Sequence, residues 1–274
     1  MSTHPGRRDW ASTDEIDRLR QDFDGICWWC RQHLADSREH KYKASDLRAM
    51  WDEGGLYWFG DGGSRHIGGK KAIQRDRHGV LTFPSSLCAA CNNTSSQPFD
   101  RAYETYSKFV AAGGLARRKN VDFQQVFGEE AETARVDLAR YFVKHFGCRM
   151  VADGFDVPSS MRDFLDGAPD MPDVHLGLAR QGSLSELAKL GTFLHPTAGI
   201  GMLSDDRARL TGYVTGVFIG DVGVRFDWQA SGFDSSWQSF FLFRRAVINY
   251  FETEDDMHFA RRTRHPWQWP SQHR

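Results

Sequence analysis

Two C-x-x-C pairs, Cys27-Trp28-Trp29-Cys30 and Cys88-Ala89-Ala90-Cys91, constrain this chain more than any other feature. Each such turn presents two thiolates from one side, and two turns together complete the tetrahedral sulfur set that zinc takes in structural sites. The 57 residues between the pairs exceed the spacing of a small zinc finger. The chain holds five cysteines, whereas a disulfide framework needs an even number and an oxidising compartment. Cys148 is the one left over and reads as a buried thiol. The first hundred residues are therefore expected to fold around one structural zinc ion bound by Cys27, Cys30, Cys88 and Cys91.

The remaining composition limits what surrounds that staple. At 274 residues, 40% hydrophobic and 26% charged, the chain has the size for a compact domain plus a second module with a real core. Its apolar runs break well before the roughly 18 residues that a membrane span needs. Met1 to Trp10 lacks the apolar centre of a secretory signal, so the expected location is the cytoplasm. Residues 1–120 hold 19 Lys and Arg against 15 Asp and Glu, while 121–274 hold 16 against 21. A nucleic-acid contact belongs to the first half, although the net charge of −1 makes binding by charge alone weak.

Along the chain, Ser12-Thr13-Asp14-Glu15 caps a short helix that leads to Cys27. A second short helix starts at Ser45-Asp46-Leu47-Arg48-Ala49-Met50-Trp51. Residues 52–79, rich in Gly and charge, suit a hairpin or loop inserted between the cysteine pairs, and Val80-Leu81-Thr82-Phe83 reads as the strand that reaches the second pair. Phe99, Tyr103, Tyr106, Phe109 and Val110 repeat with helical period until Gly113-Gly114. A longer helix is expected from about Glu129 to Phe146, and a short one holds Met161, Phe164 and Leu165. From about Val174, alternating segments at 174–178, 199–203, 210–219, 222–228 and 240–250 predict an antiparallel sheet with one polar face, with a helix at 183–190.

Glu39-His40 stands nine residues after Cys30, within Ser37-Arg38-Glu39-His40-Lys41. A carboxylate beside an imidazole joins a hard oxygen ligand for Mg²⁺ or a similar ion to a base that titrates near neutrality. Those are the tools for hydrolysing a phosphodiester. A solvated surface pair is the alternative reading of the dipeptide alone. Asp100 and Arg101 open the helix after the second pair, either as a metal contact and a phosphate contact or as a helix cap and a solvated side chain.

From Cys27 to about Val110, the order C-W-W-C, then Arg38-Glu39-His40, then Leu87-Cys88-Ala89-Ala90-Cys91-Asn92-Asn93 resembles the HNH endonuclease superfamily, the ββα-metal nucleases, in the subgroup stapled by zinc. The resemblance implies that Glu39 binds the catalytic divalent ion, that His40 is the general base and that Asn92 is a second metal ligand, with Asn93 adjacent. It also implies nucleic acid, expected to be DNA, as the partner. Two departures accompany it. The family's middle Asn is missing from Val80 to Leu87, leaving its tie to Ser85 or Ser86, and the Gly-rich insert is long. Basic residues Arg38, Lys41, Lys43, Arg65, Lys70, Lys71, Arg75 and Arg77 cluster beside the site, either to hold phosphates without reading bases or as a solvated charged loop.

The expected fold is α+β: a zinc-stapled HNH-like ββα-metal module at 1–118, a helical connector at 119–170 and a mainly antiparallel α+β domain at 171–274. In that last domain His175, His195 and His258 stand isolated, and the tail from Arg261 to Trp269 mixes guanidinium with indole, a combination that can grip single strands or dock a terminus by its tryptophans. The expected activity is metal-dependent DNA hydrolysis. The alternatives are a zinc-stabilised nucleic-acid-binding protein without catalysis and a purely interacting module. The sequence leaves the oligomeric state open.

Overall fold

A computed structural model describes residues 11–43, 45–47, 56–60, 63–67, 81–188 and 194–259. The first helix, α1 (Thr13–Asp17), starts where the sequence places its cap, with Ser12 and Glu15 bonding reciprocally to each other's backbone amides. Next comes the first cysteine turn, in which Arg31 adopts a left-handed φ of 55°. Its guanidinium reaches Asp24 at 2.6 Å.

Residues 37–41 then run antiparallel to residues 81–87. Ser37 N–H donates to Leu87 O at 2.8 Å, Lys41 N–H to Leu81 O at 2.8 Å and Phe83 N–H to Glu39 O at 2.9 Å. Between these two segments lies an antiparallel hairpin of β1 (Leu56–Gly60) and β2 (Gly63–Ile67), in the Gly-rich insert where a hairpin or loop was expected. Of the helix expected from Ser45, residues 45–47 are helical and 48–51 lie outside the described residues. Lys70, Lys71, Arg75, Arg77 and the tail at 261–269 also lie outside them.

After Cys88 the backbone makes a π-helical turn, Ala90–Ser95, that runs into α2 (Gln97–Ala111). A short strand β3 (Asn120–Asp122) and helix α3 (Phe123–Phe127) lead to the long α4 (Ala131–Ala152). That helix extends beyond the expected end at Phe146. From Leu138 to Met150 it is buried on nearly all sides, because it is packed between α2 and the sheet. Tyr103 of α2 stacks on Tyr141 of α4 with centroids 3.9 Å apart, and on the sheet side Phe146 meets Phe226 at 4.9 Å. Helix α5 (Ser159–Leu165) closes this helical layer.

The second half contains β4 (Val174–Gln181), α6 (Gly182–Ala188), β5 (Leu194–Pro196), β6 (Ile200–Leu203), β7 (Leu210–Ile219), β8 (Val222–Gln229), β9 (Arg245–Phe251) and α7 (Glu254–Phe259). The strands order as β3-β9-β4-β8-β7-β5, with β6 also on β7, and every pairing is antiparallel except β4 with β9. Residues 240–242, expected as strand, form a 3-10 turn instead.

The sheet also departs from the expected single polar face. Along β7 and β8 both alternating sets of side chains are largely buried. The set holding Val217, Val224 and Phe226 joins the main core beneath α4, while Phe218 packs with Ala179, Leu184, Phe251 and Met257 under α6 and α7. The polar residues of this second face, Arg225 and Asp227, are buried as an ion pair at 2.7 Å. The second face is thus part apolar cluster beneath α6 and α7 and part buried ion pair. One continuous core runs from Cys27 through α2 and α4 to Ile248, crossing positions 118 and 170.

Candidate metal centre and hydrolytic site

The four thiols of the cysteine pairs meet, with all Sγ atoms within 4.8 Å of one another. Cys30 Sγ lies 3.9 Å from Cys88 Sγ, close to the ~3.8 Å edge of a tetrahedron built with zinc–sulfur bonds of about 2.3 Å. This cluster can hold a metal ion such as zinc. Burial pushes the Cys30 thiol up, but the backbone amides of Gln32 and His33 and the His33 ring outweigh it and bring the thiol to about 6. In the more enclosed Cys27 and Cys91, burial wins and raises the thiol. Such N–H···S bonds favour the thiolate form that a metal needs.

Both tryptophans of the first turn anchor it to helices. Trp29 Nε1 donates to Asp166 at 2.8 Å, and its ring stacks on Phe99 at 6.0 Å. Trp28 Nε1 points at Cys148 Sγ at 3.5 Å. Its ring occupies the space beside Gly147, where an added Cβ would sit 2.3 Å from a ring carbon. Cys148 is the buried thiol that the sequence suggests, and burial pushes it up to about 12.

The pairing of 37–41 with 81–87 sets the orientation of Glu39 and His40, because adjacent residues of an extended segment face opposite sides. Glu39 points inward to α4 and is buried. His40 is half-buried on the other side, opposite Thr82. From the π-helical turn, Asn92 is buried while Asn93 is exposed, so Asn92 is the amide that faces Glu39. Its Nδ2 donates to Arg38 O at 3.1 Å and to Ser37 Oγ at 2.9 Å. These bonds tie the Glu39 segment to the helix, the job for which Ser85 or Ser86 was expected.

At the centre of this site stands a residue that the sequence reading passed over, Lys144 of α4. Its Nζ lies 3.1 Å from Glu39 Oε2, 3.3 Å from Asn92 Oδ1, 3.2 Å from Ser96 Oγ and 3.7 Å from Asp100 Oδ1. Burial draws its pKa down, but Glu39 and Asp100 outweigh that and raise it, so the group is an ammonium. Asp100 therefore faces Lys144, and Ser96 rather than Asp100 stands at the helix start. Asp100 Oδ1 also takes Lys43 Nζ at 2.6 Å, which commits one of the basic residues to the protein itself. Lys41 lies over the Phe83 ring, 5.7 Å from its centroid, while Arg38 and Arg101 are exposed. The available sequence signal for Lys144 was its charge within Tyr141-Phe142-Val143-Lys144-His145-Phe146, where a lysine can be buried only with partners.

Among the described residues, the histidines of the second half form no common site. His175 packs edge-on against Trp237 at 5.2 Å and lies 3.7 Å from Asp227. His195 faces Glu254 at 3.5 Å, and the side chain of His258 lies outside the described residues. Among the described residues, no helix is long and apolar enough to cross a membrane. No protein-family model, curated protein or solved structure matches the chain.

Proposed function

We propose that this chain is a zinc-stapled, metal-dependent endonuclease that hydrolyses DNA phosphodiester bonds. The observation that carries the reading is the convergence of three oxygen groups, from Glu39, Asn92 and Asp100, on one point that already holds a cation. Their order supports it too: two antiparallel segments, 37–41 and 81–87, followed by a helix, with a four-cysteine cluster at their base. Carboxylate and amide oxygens are the donors that Mg²⁺ takes, and the Lys144 ammonium stands in for such an ion, so the donor set fits. Glu39 and Asn92 would hold the ion, with Asp100 beside them. A bound divalent ion supplies neutralisation of a phosphate oxygen and acidification of water.

The protein's own groups divide the remaining work. His40, on the strand segment next to Glu39, accepts the proton of the attacking water. Asn92 fixes the position of that segment through Ser37 and Arg38. Exposed Arg38 and the basic residues of the insert hold the backbone phosphates, contacts that position a duplex without reading its sequence.

A second reading, a nucleic-acid-binding protein without catalysis, is favoured by one observation: Lys144 already satisfies the oxygen groups. The deciding assay incubates purified protein of verified zinc content with supercoiled plasmid in Mg²⁺, in Mn²⁺ or in EDTA. Cleavage in either metal supports the nuclease. Retention of plasmid without any cleavage supports the binding protein.

A further inference from the structure

Resting on the reading of Glu39, Asn92 and Asp100 as ligands, we infer that Lys144 is a tethered cation that competes with the divalent ion for this oxygen cage, so that an ion enters only when the ammonium is displaced. Lys144 Nζ stands within 3.1–3.7 Å of an oxygen from each of the three residues. An ion bound at about 2.1 Å to the same oxygens, on the side of them that Nζ occupies, would sit within about 3 Å of that nitrogen. Two cations cannot share the cage at that distance in a buried place, where charges are poorly screened. Occupancy is therefore exclusive.

The competitor is held by the fold. Lys144 is 1% exposed, and the turns of α4 around it are locked. Tyr141 stacks on Tyr103, Phe146 packs on Phe226, and Gly147 abuts Trp28. The backbone leaves no slack to carry the ammonium away, and displacement falls to the side chain alone.

There is a physical reason to keep such a cation. Glu39 is buried and Asp100 partly so, and two carboxylates facing one point repel each other unless a positive charge lies between them. The ammonium lets the site fold without a divalent ion. In exchange it weakens the affinity for one. Its removal should strengthen ion binding, the reverse of what is expected for a residue that merely supports the site.

The test uses the full chain with its zinc and follows Mn²⁺ binding by the electron paramagnetic resonance signal of free Mn²⁺. Lys144→Gln removes the charge and keeps a polar side chain for Glu39 and Asn92. It should bind Mn²⁺ at least about tenfold tighter than wild type, and Mn²⁺ should raise its Tm by more than it raises that of wild type. Lys144→Arg keeps the charge and should show no gain, while Lys144→Gln with Glu39→Gln should lose the gain. Zinc content measured in each variant confirms that the module is folded, and Lys144→Met replaces Lys144→Gln if the latter loses zinc. Equal and measurable Mn²⁺ affinity in wild type and Lys144→Gln overturns the competition and leaves the nuclease reading standing. Absence of Mn²⁺ binding in both folded proteins overturns the competition together with the metal-dependent reading.

Discussion

Lys144 Nζ and Glu39 Oε2 lie 3.1 Å apart with almost no exposure to solvent, and they join the long central helix to the segment that carries His40. Removing one partner of a buried pair leaves the other charge in a poorly solvating place and costs about 3–5 kcal/mol. The two truncations should nevertheless differ. Glu39→Ala leaves the ammonium with Asp100, Asn92 and Ser96, whereas Lys144→Ala leaves the buried Glu39 without its cation. Urea unfolding should therefore show the larger loss for Lys144→Ala. Equal losses would mean that Glu39 has another counter-charge.

The cysteine cluster predicts about one zinc per chain by elemental analysis. Structural zinc binding amounts to about 10–16 kcal/mol of apparent free energy in small modules, most of it realised as folding. Cys27 is fully buried and belongs to the same core as Trp28, Phe99 and Tyr103. Cys27→Ser or Cys91→Ser should thus release the metal and also lower the cooperativity of unfolding in the central helices. Well-folded wild-type protein that contains no zinc would end the staple assignment.

His145 provides a pH signature. It is buried beside Phe83, with Nε2 3.0 Å from Lys41 O, and burial pushes its imidazole down to about 4 from an ordinary 6.5. Between those values the unfolded chain binds a proton that the folded one refuses, so folding stability falls as pH drops through this window. The full effect, by pH 4, is about 3 kcal/mol. Half-buried Asp46 and Asp137, raised mainly by desolvation, act in the opposite sense, so the useful quantity is a difference. His145→Gln should flatten the pH dependence of urea unfolding between 7 and 4 relative to wild type.

Local signals carried much of the architecture. The Ser12–Glu15 box, the period of Phe99, Tyr103 and Tyr106 and the alternation of residues 210–228 each follow from chemistry that acts within a few residues. What stayed hidden depends on contacts between distant segments. Strand β3 is three residues long and exists because β9 pairs with it. The parallel pairing of β4 with β9 and the covering of the second sheet face by α6 and α7 have no periodicity to reveal them. In the candidate site, Glu39 and His40 were legible through their place between the cysteine pairs and Asn92 through its place directly after the second. Lys144 was not, because its role is set by four oxygens contributed from other parts of the chain.

Gly147 records one of those distant contacts. A Cβ there would overlap the Trp28 ring at 2.3 Å, and neither the central helix nor the anchored cysteine turn can easily give way. Overpacking of this kind typically costs about 1–3 kcal/mol, against the gain of less than about 1 kcal/mol that alanine brings to a helix interior. Gly147→Ala should lower Tm, and pairing it with Trp28→Leu should recover part of the loss. A rise in Tm for the single variant would mean that the turn and helix are less closely packed than the structure has them.

The catalytic reading separates into two phenotypes. His40→Ala should abolish plasmid cleavage, by about 10² to 10⁴ in rate, the usual loss for a general base. Zinc content, Tm and plasmid retention should stay close to wild type, because His40 is half-buried and lies on the side of its segment away from the Lys144 network. Glu39→Ala removes a proposed ion ligand and leaves the base, so it should raise the divalent-ion concentration needed for activity. It should also reduce stability, since Glu39 contacts Lys144. The pair therefore distinguishes base from ligand, which neither variant does alone. Cleavage by His40→Ala at the wild-type rate would remove His40 from the mechanism. If wild type cuts nothing but both variants retain plasmid as it does, the Glu39–Lys144 pair is a structural tie in a protein that binds nucleic acid without cutting it.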